Sequence, residues 1–404
     1  MKGKQTRTNS GLMKNLMNKW QTVTLNDICE FIKDGTHQTP TYAEDGFIFL
    51  SSKNVTTGVV DWEDVKYIPE DLHEKLYKAL SPQINDILLA KNGTTGVAAI
   101  VDKDIIFDVY VSLAVLRPNT SIISPRFLLW AVNSPHSKIQ FNQSLKGIGV
   151  PNLHLSSISK TTITLPPLDI QNYIVSVLDK LQSIIIHRKQ QLSKLDELVK
   201  ARFVEMFGEP NLNPMGWEES HLSEKLDVLG GYAFKSDEFD EETGIPVLRI
   251  GNINAGFFRP VNMVYWREDE NLEKYAMYPG DLVMSLTGTV GKDDYGNVCI
   301  LGNDYDKYYL NQRNAKLEIK EGLDKLYLSE ILKFDTIKKR LTGISRGVRQ
   351  ANISNRDILN LYIPIPPLDL QNQFATFVEQ TDKSKFLNEN VTRLLRRVKL
   401  YDQF

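Results

Sequence analysis

The sequence predicts an α+β chain with an internal two-fold repeat, in which two similar mixed α/β domains alternate with two long helices. Three observations carry this. Pro166-Pro167-Leu168-Asp169-Ile170-Gln171-Asn172 recurs as Pro366-Pro367-Leu368-Asp369-Leu370-Gln371-Asn372, 200 positions later in a chain of 404 residues. Each copy opens a long stretch with apolar residues at heptad spacing. The segments ahead of the two copies match each other block by block.

The first long helix is expected over residues 169–207. Two prolines cannot sit inside a helix but can precede one, and Asp169 suits the cap or first turn. No Gly or Pro follows before Phe207. Steps of four and three select Ile174, Leu178, Leu181, Ile185, Arg188, Leu192, Leu195, Val199, Arg202 and Met206, of which eight of ten are apolar. Gly208 and Pro210 stop it. At about 1.5 Å per residue the rod is roughly 60 Å long. The second helix, from Asp369 to Phe404, starts a seam with Leu370, Phe374 and Phe377 and resumes it with Leu387, Val391, Leu394, Val398 and Tyr401. Its middle, Glu379 to Lys385, is polar. A helix apolar on one stripe needs a partner, and each copy is the other's natural one.

The domains follow in parallel. Phe47-Ile48-Phe49-Leu50-Ser51-Ser52-Lys53-Asn54 matches Ile245-Pro246-Val247-Leu248-Arg249-Ile250-Gly251-Asn252, a strand running into a polar turn. Ile87-Leu88-Leu89-Ala90-Lys91-Asn92-Gly93-Thr94-Thr95-Gly96 matches Leu282-Val283-Met284-Ser285-Leu286-Thr287-Gly288-Thr289-Val290-Gly291, a buried strand entering a Gly-x-x-Gly turn. A later loop, Ser144 to Leu153, parallels Gly343 to Ile353. A short apolar strand then leads to the paired prolines.

Composition sets outer limits. A chain of 404 residues can bury a core in each half. It has no apolar run near the 18 or so residues a membrane span requires. The first residues carry Lys2, Lys4, Arg7 and Lys14 with no acid and lack an apolar signal region, so residues 1–18 read as a basic, disordered tail. Cys29 and Cys299 are the only cysteines, too few for a disulfide framework, and a cytoplasmic location is expected. The net charge of −2 does not advertise nucleic-acid binding, but its distribution does. Lys338, Lys339, Arg340, Arg346, Arg349 and Arg356 fall in one stretch without an acid, and Lys138, Lys146 and Lys160 lie in the matching stretch of the first half. A local cationic face on a near-neutral chain suits gripping phosphates in one groove.

Catalytic constellations are missing from the sequence. Gly288-Thr289-Val290-Gly291-Lys292-Asp293 has the wrong glycine spacing for a phosphate loop and Asp293 where a hydroxyl residue should follow the lysine. The six histidines show neither HxxxH nor zinc spacing, so no metal site is expected. No Gly-x-Ser-x-Gly elbow, Asn/Asp-Pro-Pro-Tyr/Phe motif or glycine-rich S-adenosylmethionine loop occurs.

The two PPLD-aliphatic-QN openings, the helix exit Leu195 to Gly208, and the strand–Gly-Thr-x-Gly turns at Gly93 and Gly288 together resemble the specificity subunit of type I restriction–modification enzymes, over essentially the whole chain after the tail. The resemblance implies target-recognition domains at 19–165 and 209–365, separated by a central helix at 166–208 and followed by a C-terminal helix at 366–404. The helices would pair as an antiparallel coiled coil. It also implies a non-catalytic subunit that binds double-stranded DNA with a bipartite target and two methyltransferase (modification) subunits, with nuclease/translocase (restriction) subunits as further partners. S-adenosylmethionine, ATP and Mg would belong to those partners, and this chain would hold no cofactor. The family's half-sites are read one per domain, and helix length sets the spacer.

Phosphate contacts should come from Lys and Arg, and base contacts from Arg, Asn, Gln, Ser and Thr. In the first domain the candidates are Lys53, Asn54, Lys91, Asn92, Thr94, Thr95, Lys146 and Asn152. In the second they are Arg249, Asn252, Thr287, Thr289, Lys292, Arg346, Arg349, Gln350 and Asn352. The competing reading of each is a polar loop former. The seam residues Ile174, Leu178, Leu181, Ile185, Leu192, Leu195, Val199, Phe374, Phe377, Leu387, Val391, Leu394 and Val398 are expected on the subunit-docking helices. Two further readings of the chain stay open: a specificity subunit of a related single-polypeptide or type II-like restriction–methylation system, and a coiled-coil protein-interaction scaffold.

Overall fold

The computed structural model describes residues 20–145, 152–289, 292, 294–343 and 350–396, without the side chains of 350 and 386–396. The chain divides into two compact units, residues 1–187 with 391–404 and residues 188–390.

Each unit contains one α/β domain on the same plan. In the first, the strands Cys29–Asp34, Leu113–Pro118, Ile87–Ala90 and Ala98–Ile100 form an antiparallel sheet in that order. In the second, Leu226–Gly230, Asn314–Ile319, Leu282–Ser285 and Val298–Ile300 repeat it. The central strands Ile87–Ala90 and Leu282–Ser285 are buried along their whole length, which is why both read as unbroken apolar runs rather than alternating ones. A smaller sheet follows, built on a parallel pair: Phe47–Leu50 with Phe107–Val109, and Ile245–Leu248 with Tyr308–Leu310. Each domain is closed by pairing its first strand with its last, Gln21–Thr24 with Thr162–Leu165 and Glu219–His221 with Tyr362–Pro364.

That closing pair delivers the chain to the repeated Pro-Pro motif, and the structure explains the motif's glutamine. Gln171 is fully buried at the start of a helix that runs Leu168–Phe207. Its Oε1 accepts from the Ser124 N–H at 2.8 Å, and its Nε2 donates to the carbonyls of Ile122 at 3.0 Å and Pro166 at 2.8 Å. Gln371 is equally buried, accepts from Asp324 N–H at 2.8 Å and donates to Gly322 at 3.3 Å and Pro366 at 2.7 Å. A buried backbone group without a partner is costly, so one side chain that satisfies three of them fixes how the helix leaves its domain.

The helix Leu168–Phe207 begins one residue ahead of the expected Asp169 and ends at the expected Phe207. Gly208 adopts φ +81° beyond it, and Trp217 Nε1 donates to the Phe207 carbonyl at 3.0 Å. From residue 180 to 198, the positions not exposed to solvent are 181, 185, 188, 192 and 195, the expected heptad seam. Ile174 and Leu178 enter the first domain's core beside Phe127 and Leu128, and Trp130 and Arg126 both hold Asp179, at 2.8 and 2.7 Å.

The second long helix runs Leu368–Arg396 in the described chain. Within the second unit it packs antiparallel on the first. Phe374 lies 5.5 Å from Phe207 and 5.3 Å from Phe203, ring to ring, while Lys385 reaches Asp196 at 2.8 Å. One helix counts up as the other counts down. Val199, Phe203, Phe207, Phe374 and Val378 form one core with Tyr327 and Phe334 of the second domain. The polar middle does not interrupt the helix. Thr381 keeps the buried stripe going, its hydroxyl donating to the Phe377 carbonyl at 2.9 Å, and Lys385 places its charge between Asp196 and Asp382.

Candidate nucleic-acid interface

The two loops that the sequence aligned between domains meet in space. Past the strand Ile87–Ala90, Asn92 bridges to Asn152, and Leu153 N–H donates to the Lys91 carbonyl at 3.0 Å. Past Leu282–Ser285, Thr287–Thr289 pairs with Gln350–Asn352, Thr287 opposite Asn352, and Ile353 N–H donates to Leu286 at 2.8 Å. The two sites therefore correspond position by position in their pairing: Asn92 to Thr287, Asn152 to Asn352, Lys91 to Leu286. Each puts a strand exit and a returning loop side by side at one end of the sheet, so polar side chains far apart in sequence share one surface.

On that surface Thr94, Lys292, Asn352 and Thr289 are exposed, while Asn92, Thr95, Asn152 and Thr287 are half-buried. Thr289 is held by Asp294, which accepts from its N–H at 2.7 Å and its hydroxyl at 2.9 Å, and these bonds lower the Asp294 carboxyl pKa. Lys53 is exposed on the neighbouring turn. Arg249 donates to the Asn262 carbonyl and is half-buried. Lys146, Arg346, Arg349 and Val398 lie outside the described residues, as does the tail 1–18. Gln350 is described by its backbone alone, and so are Leu387, Val391 and Leu394.

Burial corrects three of the expected contacts. Asn54 is buried, its amide donating to the carbonyls of Asp61 at 3.3 Å and Asp64 at 2.9 Å and accepting from Ser51 N–H at 2.9 Å. Asn252 repeats this with Arg259 and Val261, both at 3.0 Å, and with Arg249 N–H at 3.0 Å. Both staple a turn and have no free edge to offer a base. Lys91 is 5% exposed and paired with Asp34, so its charge is neutralised inside the domain rather than presented to a phosphate. Lys338, from the basic stretch, is likewise buried and donates to Asn297 at 2.7 Å.

The seam residues need a similar correction. Ile174, Leu178, Val199 and Phe374 are 5% exposed or less, and they pack into the chain's own cores. Leu181, Ile185, Leu192, Leu195 and Phe377 are half-buried. A side chain spent on its own fold cannot cover a partner as well. The outward positions do carry apolar groups, Tyr173 at 63% and Leu198 at 49% exposure among them.

Sequence reasoning missed Asp34, His37 and His154. With Lys91, Asn92 and Asn152 they line an open cavity of about 620 Å³ in the first domain. Asp34 ends a strand 57 positions from its Lys91 partner, and no sequence period links them. Among the described residues no group of three or more His, Cys, Asp or Glu stands close enough to hold a metal ion, and no helix is long and apolar enough to cross a membrane.

The family model for the type I restriction modification DNA specificity domain matches twice, over residues 17–197 and 214–396. The chain belongs to this family. Its relatives include the type I restriction enzyme MjaVIII specificity subunit of Methanocaldococcus jannaschii, 25% identical over 387 residues that cover 90% of this chain and 86% of the relative. The EcoBI specificity subunit of Escherichia coli is 27% identical over 200 residues, covering 47% of this chain and 39% of that one. Among solved structures, a type I restriction–modification S subunit from M. genitalium shares the fold with a TM-score of 0.56 at 15% identity, covering 95% of this chain and 96% of that chain. The two family matches correspond to the two repeats, each taking in one α/β domain and most of the helix after it. The specificity-domain unit is thus the domain with its helix, not the domain alone.

Proposed function

We propose that this chain is the DNA-recognition subunit of a type I restriction–modification complex, non-catalytic in itself and acting in the cytoplasm. Each domain reads one half of a bipartite duplex target through the paired loops at its sheet end. The two helices hold the domains apart and set the spacer between half-sites. Off-seam faces of the helices dock two methyltransferase subunits, and restriction subunits join where the host supplies them. S-adenosylmethionine, ATP and Mg are held by those partners.

The observation that carries this reading is the equivalent pairing of the two loop pairs, Asn92–Asn152 and Thr287–Asn352, in which Thr287 stands where the first domain has Asn92. One backbone plan presenting two polar surfaces is what reading two different short sequences requires, because phosphate contacts position a reader while base-edge contacts specify. The basic residues Arg346 and Arg349, known from sequence alone, would supply phosphate contacts for the second domain.

Binding of the purified chain to duplex DNA at a series of salt concentrations tests the reading. Neutralising several phosphates predicts a steep fall of affinity with salt, a log–log slope of about −0.9 per phosphate. Arg346→Ala with Arg349→Ala should weaken binding and shallow that slope. Affinity for DNA that is absent or insensitive to salt favours a protein-interaction scaffold instead.

A further inference from the structure

In the second domain a carboxylate holds the turn that follows the strand Thr287–Thr289. One oxygen of Asp294 accepts from the Thr289 N–H at 2.7 Å and the other from the Thr289 hydroxyl at 2.9 Å, while Lys292 N–H donates to the Thr289 carbonyl at 3.0 Å. The turn is fitted around that carboxylate. A Cβ on Gly288 would stand 2.3 Å from Asp294 Oδ1, and Tyr295, the next residue, is buried and donates to the Thr342 carbonyl at 2.8 Å. Thr289 itself is exposed, at the end of the two-stranded ribbon that Thr287–Thr289 makes with Gln350–Asn352. The first domain has no such clamp. Its residues 92–101 contain no acid, and Thr95 turns its hydroxyl toward the carbonyls of Gly93 and Lys91 at 3.3 and 3.4 Å.

The clamp decides what Thr289 can offer a ligand. A hydroxyl has one proton to donate and two lone pairs to accept with. The bonds from the Thr289 backbone and side chain lower the Asp294 carboxyl pKa, so at neutral pH the carboxylate carries no proton and the hydroxyl must donate its own. What the hydroxyl has left is an acceptor. Phosphate oxygens, guanine O6 and N7, adenine N7 and thymine O4 are acceptors as well, and none of them can pair with it. In the major groove, which admits a two-stranded ribbon, the donors are adenine N6 and cytosine N4.

We infer that Thr289 is a specificity-determining residue for the half-site read by the second domain and selects an amino base, adenine or cytosine, with Asp294 as the positioning residue that withholds the hydroxyl proton. Guanine or thymine in the same place sets acceptor against acceptor. This rests on the DNA-reading function proposed above, and it names one contact and one base class within it.

Two variants test it, each compared with the parent chain by single-molecule methylome sequencing in a host expressing the cognate methyltransferase. Asp294→Asn keeps an acceptor for the Thr289 N–H, which turns the amide Nδ2 toward the hydroxyl oxygen as a donor and releases the hydroxyl proton. Thr289→Val removes the hydroxyl. In the parent, one position of one half-site is adenine, cytosine or either on the strand that Thr289 faces. Both variants should admit guanine and thymine at that same position, its discrimination falling on the order of tenfold to a hundredfold. The other half-site and the spacer stay as in the parent, which controls for folding and assembly within the same measurement. A motif unchanged in either variant overturns the inference, as does widening at different positions in the two, or widening that adds only the other amino base. Loss of all methylation in both variants also overturns it, since giving up one base contact widens a site and does not abolish it. No motif with the parent chain overturns the DNA-reading function itself, and this inference with it.

Discussion

Gln171 and Gln371 make the same three hydrogen bonds in the two halves of the chain. Each takes one backbone N–H and two backbone carbonyls from its own domain, all between 2.7 and 3.3 Å. Both lie at the point where a domain hands over to a long helix, so the duplicated sequence motif is a duplicated joint. Replacing either by Ala strands one donor and two acceptors. At about 1–3 kcal/mol per buried group left unmet, each change should cost roughly 3 kcal/mol or more, read as a lowered denaturant midpoint. A loss under about 1 kcal/mol, the typical net worth of a single hydrogen bond, would show that water replaces the side chain and that the joint is not built as described.

The helix pairing in the second unit is carried by aromatic packing, with little from charge. Phe374 is fully buried against Phe203 and Phe207, whereas Asp196, which pairs with Lys385, is 71% exposed on its side chain. Phe374→Ala should therefore cost about 3–5 kcal/mol, and Asp196→Ala less than about 1 kcal/mol. Chemical denaturation of the two variants gives the comparison. Equal losses would reverse the ranking.

Lys91 and Asp34 form a buried pair where the second domain has Leu286 and Gly230. Removing the lysine alone, as Lys91→Leu, leaves a carboxylate with little solvent and should cost about 3–5 kcal/mol. Adding Asp34→Gly recreates the second domain's solution and should recover most of the loss. A double variant as unstable as the single one would show that the two domains are not equivalent at this place.

Burial raises the Asp108 carboxyl pKa above its ordinary value, against the opposing hydrogen bond from His73 at 2.7 Å. The folded state thus holds this proton more tightly than the unfolded chain. Stability from the group is complete below the ordinary carboxylate range and declines as pH rises through the raised value. Asp108→Asn removes that decline, so the variant should gain on the parent as pH is taken from about 4 toward 7, measured by thermal melting across the range. A parent that gains on the variant as pH rises would contradict the sign.

The length of the first helix should be read out in DNA. Four residues inserted near Leu192 add about one turn, some 6 Å of rod, between the two domains. The spacer of the recognised motif should lengthen while both half-sites persist. An unchanged spacer would refute the ruler.

Much of the fold was legible in the sequence because it is written in period and repetition. The seam at 181, 185, 188, 192 and 195 follows from apolar spacing, and the central strands Ile87–Ala90 and Leu282–Ser285 follow from unbroken apolar runs. The alignment of Asn92 with Thr287 and of Asn152 with Asn352 also survives, because both loops hang from strands that the repeat fixes. The commitment of individual polar side chains was not legible. Asn54 and Asn252 look like readers in sequence, yet carbonyls 7 to 10 positions away claim their amides. Lys91 looks like a phosphate contact until a residue 57 positions earlier folds beside it. Such contacts depend on tertiary closure, which leaves no local pattern. The polar middle of the second helix joins the pairing without apolar character, through the buried Thr381 and the Lys385–Asp196 ion pair.

The central claim is that one chain reads two half-sites through two equivalent domains. Methylome sequencing of a host carrying the cognate methyltransferase, with and without this gene, tests it most directly. The account predicts a bipartite methyladenine motif that appears only with the gene, two short defined sequences separated by a spacer of fixed length and free composition. A gene-dependent motif with a single continuous site, or no gene-dependent motif at all, would contradict it.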